Sequence, residues 1–185
     1  MTTPSTLRVC IVGAESTGKT TLCTDLAASY SVPFVPEFGR WYTEAMPDPS
    51  RYTWTSDDFV AIVETQHRFE DDMALWANDV MICDTGAYTT ALFHEAYMGT
   101  PHDQLEALGA LDRQRYDLIV VCDAATPFTQ DDTTGLRKDG SQRHWMHARY
   151  LELIEPLQEA GRGFVVSGSP QDRVTQVRNA IAALR

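Results

Sequence analysis

Short apolar runs alternate along this chain with longer segments in which apolar residues recur at helical spacing. Runs of this kind, bounded by glycine or polar residues, are typical of strands that are buried on both faces of a parallel sheet. The predicted strands cover residues 7–12, 32–35, 79–83, 118–122 and 163–166. Pro33 interrupts the second run, which favours a position at the edge of the sheet.

The segments between these runs predict helices. They cover residues 19–30, 86–98 and 142–160, and further helices are predicted to begin at Thr55, Thr100 and Ser169. Thr55 is followed by Ser-Asp-Asp, a pattern that caps the start of a helix. Strands that alternate with helices indicate an α/β fold, in which helices cover both faces of a parallel sheet.

Composition and charge limit the classes of partner. We expect the 185 residues to form one domain, residues 1–185, because this length can bury a full core. The net charge of -11 argues against a nucleic-acid partner, since phosphate backbones select basic surfaces. No apolar run has the length of a membrane span, and the first residues lack the pattern of a signal peptide. We therefore expect a cytoplasmic protein that binds neither membrane nor nucleic acid; the sequence does not indicate its oligomeric state.

The four cysteines, Cys10, Cys23, Cys83 and Cys122, are dispersed and form no CxxC pair. Three of them lie in predicted strands, where a thiol behaves as a small buried hydrophobe. We therefore predict reduced cysteines in the core and no zinc site.

The segment GAESTGKT, residues 13–20, joins the first predicted strand to the first predicted helix. It fits the P-loop pattern GxxxxGK[ST], in which glycines let backbone N–H groups turn toward phosphate oxygens. Lys19 is expected to reach the outer phosphates of ATP, and the Thr20 hydroxyl is expected to bind Mg²⁺. The alternative is a glycine-rich turn that binds nothing. The predicted nucleotide-binding residues are Gly13, Ala14, Glu15, Ser16, Thr17, Gly18, Lys19, Thr20 and Thr21.

Polar residues at the carboxyl ends of the strands are further candidates, because ligands bind at that edge of such sheets. Asp84 follows the third predicted strand, as does a Walker B carboxylate that holds Mg²⁺; the alternative is a residue that caps the next helix. Glu37 and Arg40 follow the second strand. A carboxylate there can accept a proton from an acceptor hydroxyl or fix the hydroxyls of a sugar, and the alternative is a structural ion pair with Arg40.

The polar segment after the fourth predicted strand is expected to form a lid over residues 127–143. It contains Arg137, Lys138 and Arg143 in an otherwise acidic chain. Arginines that close over a transferring phosphoryl group neutralise its charge. The alternative is a solvated loop with incidental charge.

Several segments, taken in order, resemble the kinase domain of NadR-type ribosylnicotinamide kinases. They are GAESTGKTTL, PEFGRWY, DTGAYTTALFHEAYMG, the polar segment with DD and GLR, and SGSP. The resemblance implies a P-loop kinase fold whose five-stranded parallel sheet has the order 2-3-1-4-5, with helices on both faces. It also implies ATP-dependent phosphorylation of the 5′-hydroxyl of nicotinamide riboside, which gives nicotinamide mononucleotide for NAD salvage.

The chain departs from this family in its third-strand motif and in its lid. Residues 84–86 read Asp-Thr-Gly where the family reads Asp-Thr-Asp, which removes a carboxylate that would face the substrate. Thr133 and Thr134 split the lid motif, which in the family reads DDG followed closely by arginine. Larger family members also carry a DNA-binding region and an adenylyltransferase domain. We expect neither activity here, because few residues precede the first strand.

The acceptor that the resemblance implies has a cationic aromatic ring. Carboxylates and aromatic faces attract such a ring through charge and cation–π contacts, although aromatic residues also serve as core. The candidate substrate-binding residues are Glu37, Arg40, Trp41, Tyr42 and Tyr88.

The sequence therefore indicates a small kinase with ATP and Mg²⁺ as cofactors and a nucleoside as its small-molecule partner. Thr20 and Asp84 are the expected metal ligands. Another nucleoside or deoxynucleoside kinase remains an alternative, as does an ATP-binding regulatory switch without an acceptor. The sequence does not distinguish ATP from GTP. The expected catalytic residues are Lys19, Glu37, Asp84, Arg137 and Arg143.

Overall fold

The computed structural model describes residues 6–77, 79–125 and 142–185, and in this part of the chain five strands form one parallel sheet. The strands are β1 (Leu7–Val12), β2 (Phe34–Val35), β3 (Val80–Asp84), β4 (Leu118–Cys122) and β5 (Gly163–Val166). Their spatial order is β2-β3-β1-β4-β5, which confirms the predicted α/β fold and the order 2-3-1-4-5. Ile11 pairs with Asp84, so the carboxyl ends of β1 and β3 lie side by side.

Helices connect the strands and pack on both faces of the sheet. They are α1 (Lys19–Tyr30), α2 (Phe38–Glu44), α3 (Ser56–Ala74), α4 (Ala87–Met98), α5 (Asp103–Ala110), α6 (Asp112–Arg115), α7 (Arg143–Ile154) and α8 (Pro170–Ala183). A capping box formed by Thr55 and Asp58 starts α3, as the sequence predicts. Among the described residues, no helix combines the length and the apolar character needed to cross a membrane.

The second and third strands differ from their predicted bounds. β2 begins at Phe34 and not at residue 32, because Val32 completes the end of α1: its N–H donates to the Ala27 carbonyl at 3.0 Å, after Ser31 with φ 56°. β3 runs one residue further than predicted, so Asp84 is the last residue of the strand and not the first residue after it.

Two helices differ from their predicted bounds. The predicted helix over residues 142–160 ends at Ile154 and continues as the 3-10 turn Glu155–Leu157, because Pro156 has no N–H to extend the α-helix. The helix predicted from Thr100 begins at Asp103, and His102, in an extended conformation, is its N-cap.

The sheet separates two apolar layers. Cys10 and Val12 of β1 face the layer that contains α4 and α7, whereas Val9 and Ile11 face the layer that contains α1 and α8. The helices that follow the adjacent strands β1 and β3 thus lie on opposite faces of the sheet. A crevice opens at such a switch point, beyond the carboxyl ends of the two strands, and ligands bind there in folds of this class.

All four cysteines are buried and none forms a disulfide, as predicted. Burial raises the pKa of the Cys10, Cys23 and Cys83 thiols well above the ordinary value, and it raises the pKa of Cys122 to about 11. The thiolate is the reactive form of cysteine. These thiols are therefore protected both by lack of access and by protonation.

We predict that the native protein resists thiol labelling. An aromatic disulfide reagent at mildly alkaline pH should leave all four cysteines unmodified over a period in which the guanidinium-unfolded chain reacts completely, as followed by absorbance. Rapid labelling of even one cysteine in the native protein would contradict the burial described here.

Candidate active site

The loop between β1 and α1 contains backbone conformations that favour glycine. Gly13 has φ 154° and Gly18 has φ 83°. Gly18 is the N-cap of α1, and because glycine has no side chain, this helix start has no side-chain cap. The first-turn N–H groups of a helix point out of its N-terminus, where the helix dipole favours an anion. The geometry is therefore that of a phosphate-binding loop.

Two side chains of the loop fold back onto its own backbone. Thr17 Oγ1 donates a hydrogen bond to Ala14 O at 2.8 Å, and Lys19 Nζ donates to the same oxygen at 3.1 Å. Thr17 is completely buried, so its hydroxyl stabilises the loop from inside. The Lys19 ammonium lies at the loop itself, in agreement with the position that the P-loop pattern requires.

A buried arginine supports the loop from α8. Arg173 is 9% exposed, and its guanidinium donates to Thr17 O at 2.6 Å and to Gly168 O at 3.1 Å. These two bonds connect the loop after β1 to the loop after β5. Because hydrogen bonds from a charged donor are stronger than neutral ones, the pair fixes the path of the P-loop backbone.

The lid prediction is only partly covered by the structure. Arg143 is the first residue of α7, and its Nε donates to Glu15 O of the P-loop at 3.0 Å. Arg137 and Lys138 lie outside the described residues. Of the predicted lid cations, Arg143 is thus the one that the described structure brings to the loop.

Thr20 and Asp84 form the pair that was predicted to bind a metal. Thr20 Oγ1 donates to Asp84 Oδ2 at 2.6 Å. Asp84 is 2% exposed, and its Oδ1 is a buried atom with no hydrogen-bond partner among the described residues. A buried carboxylate oxygen without a partner is costly, and oxygen ligands of this kind are the ones that Mg²⁺ prefers. The pair therefore fits a Mg²⁺ ion.

Charges from both sides of the crevice act on Asp84. Burial raises the pKa of this carboxyl, the Lys19 ammonium lowers it, the Glu37 carboxylate raises it, and the Arg40 guanidinium lowers it. The P-loop lysine and the two charged residues after β2 are therefore within electrostatic reach of one buried carboxylate. Val35 pairs with Cys83 and Ile11 pairs with Asp84, so the strand ends that precede Glu37 and the P-loop lie on either side of Asp84.

The predicted aromatic residues do not form one group. Trp41 is 49% exposed on α2. Tyr42 donates its hydroxyl to Asp58 Oδ1 at 2.7 Å, and this bond raises the pKa of Tyr42. Tyr88 donates to the Arg149 carbonyl of α7 at 3.1 Å. Trp41 is thus half-exposed and its ring meets Phe69 edge-on, whereas the hydroxyls of Tyr42 and Tyr88 are engaged within the fold.

The position of Gly86 accounts for the missing carboxylate of the third-strand motif. A Cβ atom at this glycine would lie 2.7 Å from Asp112 Oδ2 and 3.1 Å from the Tyr116 hydroxyl oxygen, which leaves no room for a side chain. Asp112 Oδ2 accepts the Tyr88 N–H at 2.8 Å. An N-cap side chain at residue 86 would make this type of bond to α4. Asp112 therefore caps α4 in place of residue 86.

The sequence interpretation did not identify Arg173 or Asp112. Arg173 lies near the start of a helix, where a cation opposes the helix dipole, and this unfavourable position is a signal that could have marked it. Asp112 offers no comparable signal, because its partner Tyr88 lies 24 positions away and the contact depends on how α6 packs on α4.

Comparison with known proteins is consistent with this geometry. Residues 8–173 match a family model described as AAA domain. The chain is 32% identical over 157 residues to the trifunctional NAD biosynthesis/regulator protein NadR of Escherichia coli (strain K12), and also to NadR of Salmonella typhimurium (strain LT2). The aligned region is 85% of this chain and 37% of each relative, so the chain spans a little over a third of their length.

Solved structures share the fold. A crystal structure of NadR in complex with NAD and AMP-PNP has a TM-score of 0.72 at 23% identity, over 97% of this chain and 49% of that chain. NadR in complex with NR has a TM-score of 0.71 at 24% identity, over 97% and 50% of the two chains. A thymidylate kinase from Candida albicans has a TM-score of 0.65 at 12% identity, over 97% and 92%. These likenesses establish the P-loop kinase fold.

We predict that Gly13→Ala lowers the affinity for ATP, whereas alanine at another glycine with positive φ does not. The added Cβ would approach Thr17 Oγ1 to 2.9 Å and Cys122 Cβ to 3.1 Å. ATP affinity, measured by calorimetry, should fall about 10-fold or more, a loss of about 1.4 kcal/mol.

Gly99→Ala is the matched control. Gly99 also has positive φ, at 76°, but an added Cβ would meet no atom within 4 Å. This variant should lose about 1 kcal/mol of stability and keep its ATP affinity. Equal ATP affinities for Gly13→Ala and the parent protein would contradict the loop geometry.

Proposed function

Because this chain belongs to the AAA-domain family and is homologous to NadR over most of its length, we propose that it is an ATP-dependent kinase that phosphorylates nicotinamide riboside to nicotinamide mononucleotide in NAD biosynthesis. The chain corresponds to 37% of each NadR relative, so the proposal depends on the residues of its own site.

The observation that carries the proposal is the convergence of charged groups at Asp84. Thr20 donates a hydrogen bond to this carboxylate, and Lys19, Glu37 and Arg40 act on its pKa. Phosphoryl transfer is catalysed mainly by positioning and electrostatic stabilisation, so a kinase needs phosphate-binding and acceptor-binding groups within such reach of each other.

On the nucleotide side, residues 13–18 would bind the phosphates of ATP through backbone N–H groups, and Lys19 would contact the outer phosphates. Thr20 and Asp84 would hold Mg²⁺, which when bound neutralises charge on the β- and γ-phosphates. The Thr20 hydroxyl would contact the metal through a lone pair and could keep donating its proton to Asp84. Arg143, already hydrogen-bonded to the loop at Glu15, supports charge neutralisation from the lid side.

On the acceptor side, Glu37 accepts the proton of the 5′-hydroxyl as that oxygen attacks the γ-phosphorus. A new O–P bond forms, the bond from the γ-phosphorus to the β-phosphate oxygen breaks, and ADP leaves with the electron pair. Lys19 and Arg143 stabilise the charge on the transferring group, with Arg137 as a further lid cation in the proposal. Arg40 would help to hold the acceptor beside Glu37.

The cationic ring of nicotinamide riboside suits this acidic side of the crevice. Glu37 contributes negative charge, since Asp84 is assigned to Mg²⁺, and the protein as a whole carries a net charge of -11. Trp41, which is 49% exposed, offers an aromatic face. A cation–π contact at such an exposed site contributes about 0.5–1 kcal/mol. The hydroxyls of Tyr42 and Tyr88 are engaged with Asp58 and Arg149, so in the proposal these two residues would contact the acceptor only through their ring faces.

A second candidate is a kinase for another nucleoside or nucleotide. The absence of a carboxylate at Gly86, together with the packing that excludes one, favours this alternative, because the resemblance places an acid there. The fold likeness to thymidylate kinases is compatible with it.

We predict that an acceptor panel identifies nicotinamide riboside. Purified protein with ATP and Mg²⁺ should release ADP rapidly with nicotinamide riboside and slowly with thymidine, thymidylate, adenosine or no acceptor. Lys19→Ala should lower kcat/KM about 100-fold or more, since it removes a charge at the phosphates. Turnover with thymidine or thymidylate instead would support the second candidate. ADP release unchanged by any acceptor would support a regulatory switch.

We also predict that Asp84→Asn uncouples ATP binding from Mg²⁺. The change removes a charged metal ligand and keeps the size of the side chain, so kcat should fall about 100-fold or more. Calorimetry should show that Mg²⁺ no longer tightens ATP binding. Asp25→Asn, at an exposed position of α1, removes the same charge away from the crevice and should change neither quantity. Normal Mg²⁺ dependence in Asp84→Asn would exclude the proposed metal ligand.

A further inference from the structure

A buried cation lies beneath the P-loop, and the proposed function gives it no part. Arg173 of α8 is 9% exposed, and its guanidinium donates to Thr17 O at 2.6 Å and to Gly168 O at 3.1 Å. Burial of a cation near the start of a helix is unfavourable, because it loses hydration there and the helix dipole repels it. The charge is held at this position by its contacts with the loop, so its effect is to be sought in the loop.

Two residues lie against the two ends of the loop. A Cβ atom added at Gly13 would lie 3.1 Å from Cys122 O, and a Cβ atom added at Gly18 would lie 3.6 Å from Arg173 Nη1. Burial raises the pKa of the Cys122 thiol, and the Arg173 guanidinium acts in the opposite direction. The first glycine of the loop thus packs on the end of β4, and the last glycine packs near Arg173.

The bond to Thr17 O determines the direction of one N–H group of the loop. In a trans peptide unit the C=O and the N–H of the next residue point in opposite directions, and no peptide bond among the described residues is cis. Because Thr17 O points at Arg173, the Gly18 N–H points away from it. Thr17 is completely buried, whereas Gly18 is exposed. The Gly18 N–H therefore faces the open side of the loop, where phosphates would bind.

The backbone angles of the loop agree with this orientation. Ser16 has φ 54° and Gly18 has φ 83°, whereas Thr17 between them does not have a positive φ. Alternation of this kind forms a nest, a concave run of N–H groups that binds anions. Glycine adopts other conformations readily, so the peptide unit between Thr17 and Gly18 can turn over unless its carbonyl is held. In the turned-over form, phosphate would meet a carbonyl oxygen in place of an N–H group.

We propose that Arg173 is a positioning residue for the Gly18 N–H: by holding Thr17 O beneath the loop, it keeps that N–H directed at the outer phosphates of ATP. The backbone of a P-loop binds the β- and γ-phosphates, so the orientation of each loop N–H affects their binding. A charged donor on the carbonyl also polarises the peptide unit, which makes its N–H a stronger donor. The inference rests on the proposed binding of ATP at this loop and does not depend on the identity of the acceptor.

Two substitutions of Arg173 separate its charge from its geometry. Arg173→Gln removes the charge, whereas Arg173→Lys keeps the charge on one ammonium in place of a planar fork of donors. Arg178→Gln is the matched control in the same helix, because Arg178 is exposed and its guanidinium lies over the Tyr30 ring, 5.7 Å from the centroid. Calorimetry measures the affinity for three probes: ATP, tripolyphosphate, which has no base, and AMP, which lacks the β- and γ-phosphates.

For Arg173→Gln, we expect the affinities for ATP and for tripolyphosphate to fall about 10-fold or more, since hydrogen bonds of charged groups have effects of this size. The affinity for AMP should stay within about 2-fold of the parent value, because AMP has neither of the phosphates that the loop backbone binds. Arg173→Lys should lose less, about 3-fold, because it keeps the charge and one donor. Arg178→Gln should bind all three probes as the parent protein does.

An unchanged affinity for ATP in Arg173→Gln would overturn the inference. Equal losses for AMP and ATP would overturn it as well, because a role in general folding or in the loop after β5 predicts that pattern. If thermal unfolding showed that Arg173→Gln does not fold, Arg173→Lys would decide between the same two patterns. If the parent protein bound ATP but phosphorylated no acceptor, the proposed function would fail, and the three affinities would still decide the role of Arg173.

Discussion

The burial of Asp84 at the end of β3 is the constraint on which the rest of the site depends. An ionisable carboxyl that is 2% exposed must be compensated, and its partners define the crevice: a hydroxyl from Thr20 and the ammonium of Lys19, with one oxygen left for a cation. The strand order determines where this happens, because β1 and β3 are neighbours whose following helices lie on opposite faces.

Three buried side chains bind backbone groups that are distant from them in sequence. Arg173 of α8 holds the P-loop backbone, Gln66 of α3 caps α2, and Asp112 caps α4. In each case a buried polar side chain satisfies a backbone group at the carboxyl edge of the sheet. None of these three supporting residues is among the predicted catalytic residues. The residues that hold the backbone at this edge thus differ from those proposed to take part in phosphoryl transfer.

The sequence predicted the features that local patterns determine. The buried strands, the P-loop and the residues at the strand ends follow from apolar runs and glycine positions. It did not predict the short helix α2, whose first N–H is bound by Gln66, nor the start of β2, because Val32 completes the turn after α1. The roles of Arg173 and Asp112 could not be predicted either, because each depends on a partner brought close by tertiary packing. Arg137 and Lys138 lie outside the described residues, so their assignment to a lid stays a prediction.

The central claim is that the phosphate-binding loop binds ATP and Glu37 binds the acceptor hydroxyl for one phosphoryl transfer, with Asp84 between them. A crystal structure of the protein with a non-hydrolysable ATP analogue, Mg²⁺ and nicotinamide riboside tests it most directly. The predicted result is a 5′-oxygen within about 3 Å of the Glu37 carboxylate, in line with the γ-phosphorus, and a metal ion bound by Thr20 and Asp84. An acceptor bound away from Glu37, or a metal ion without contact to Asp84, would contradict the claim.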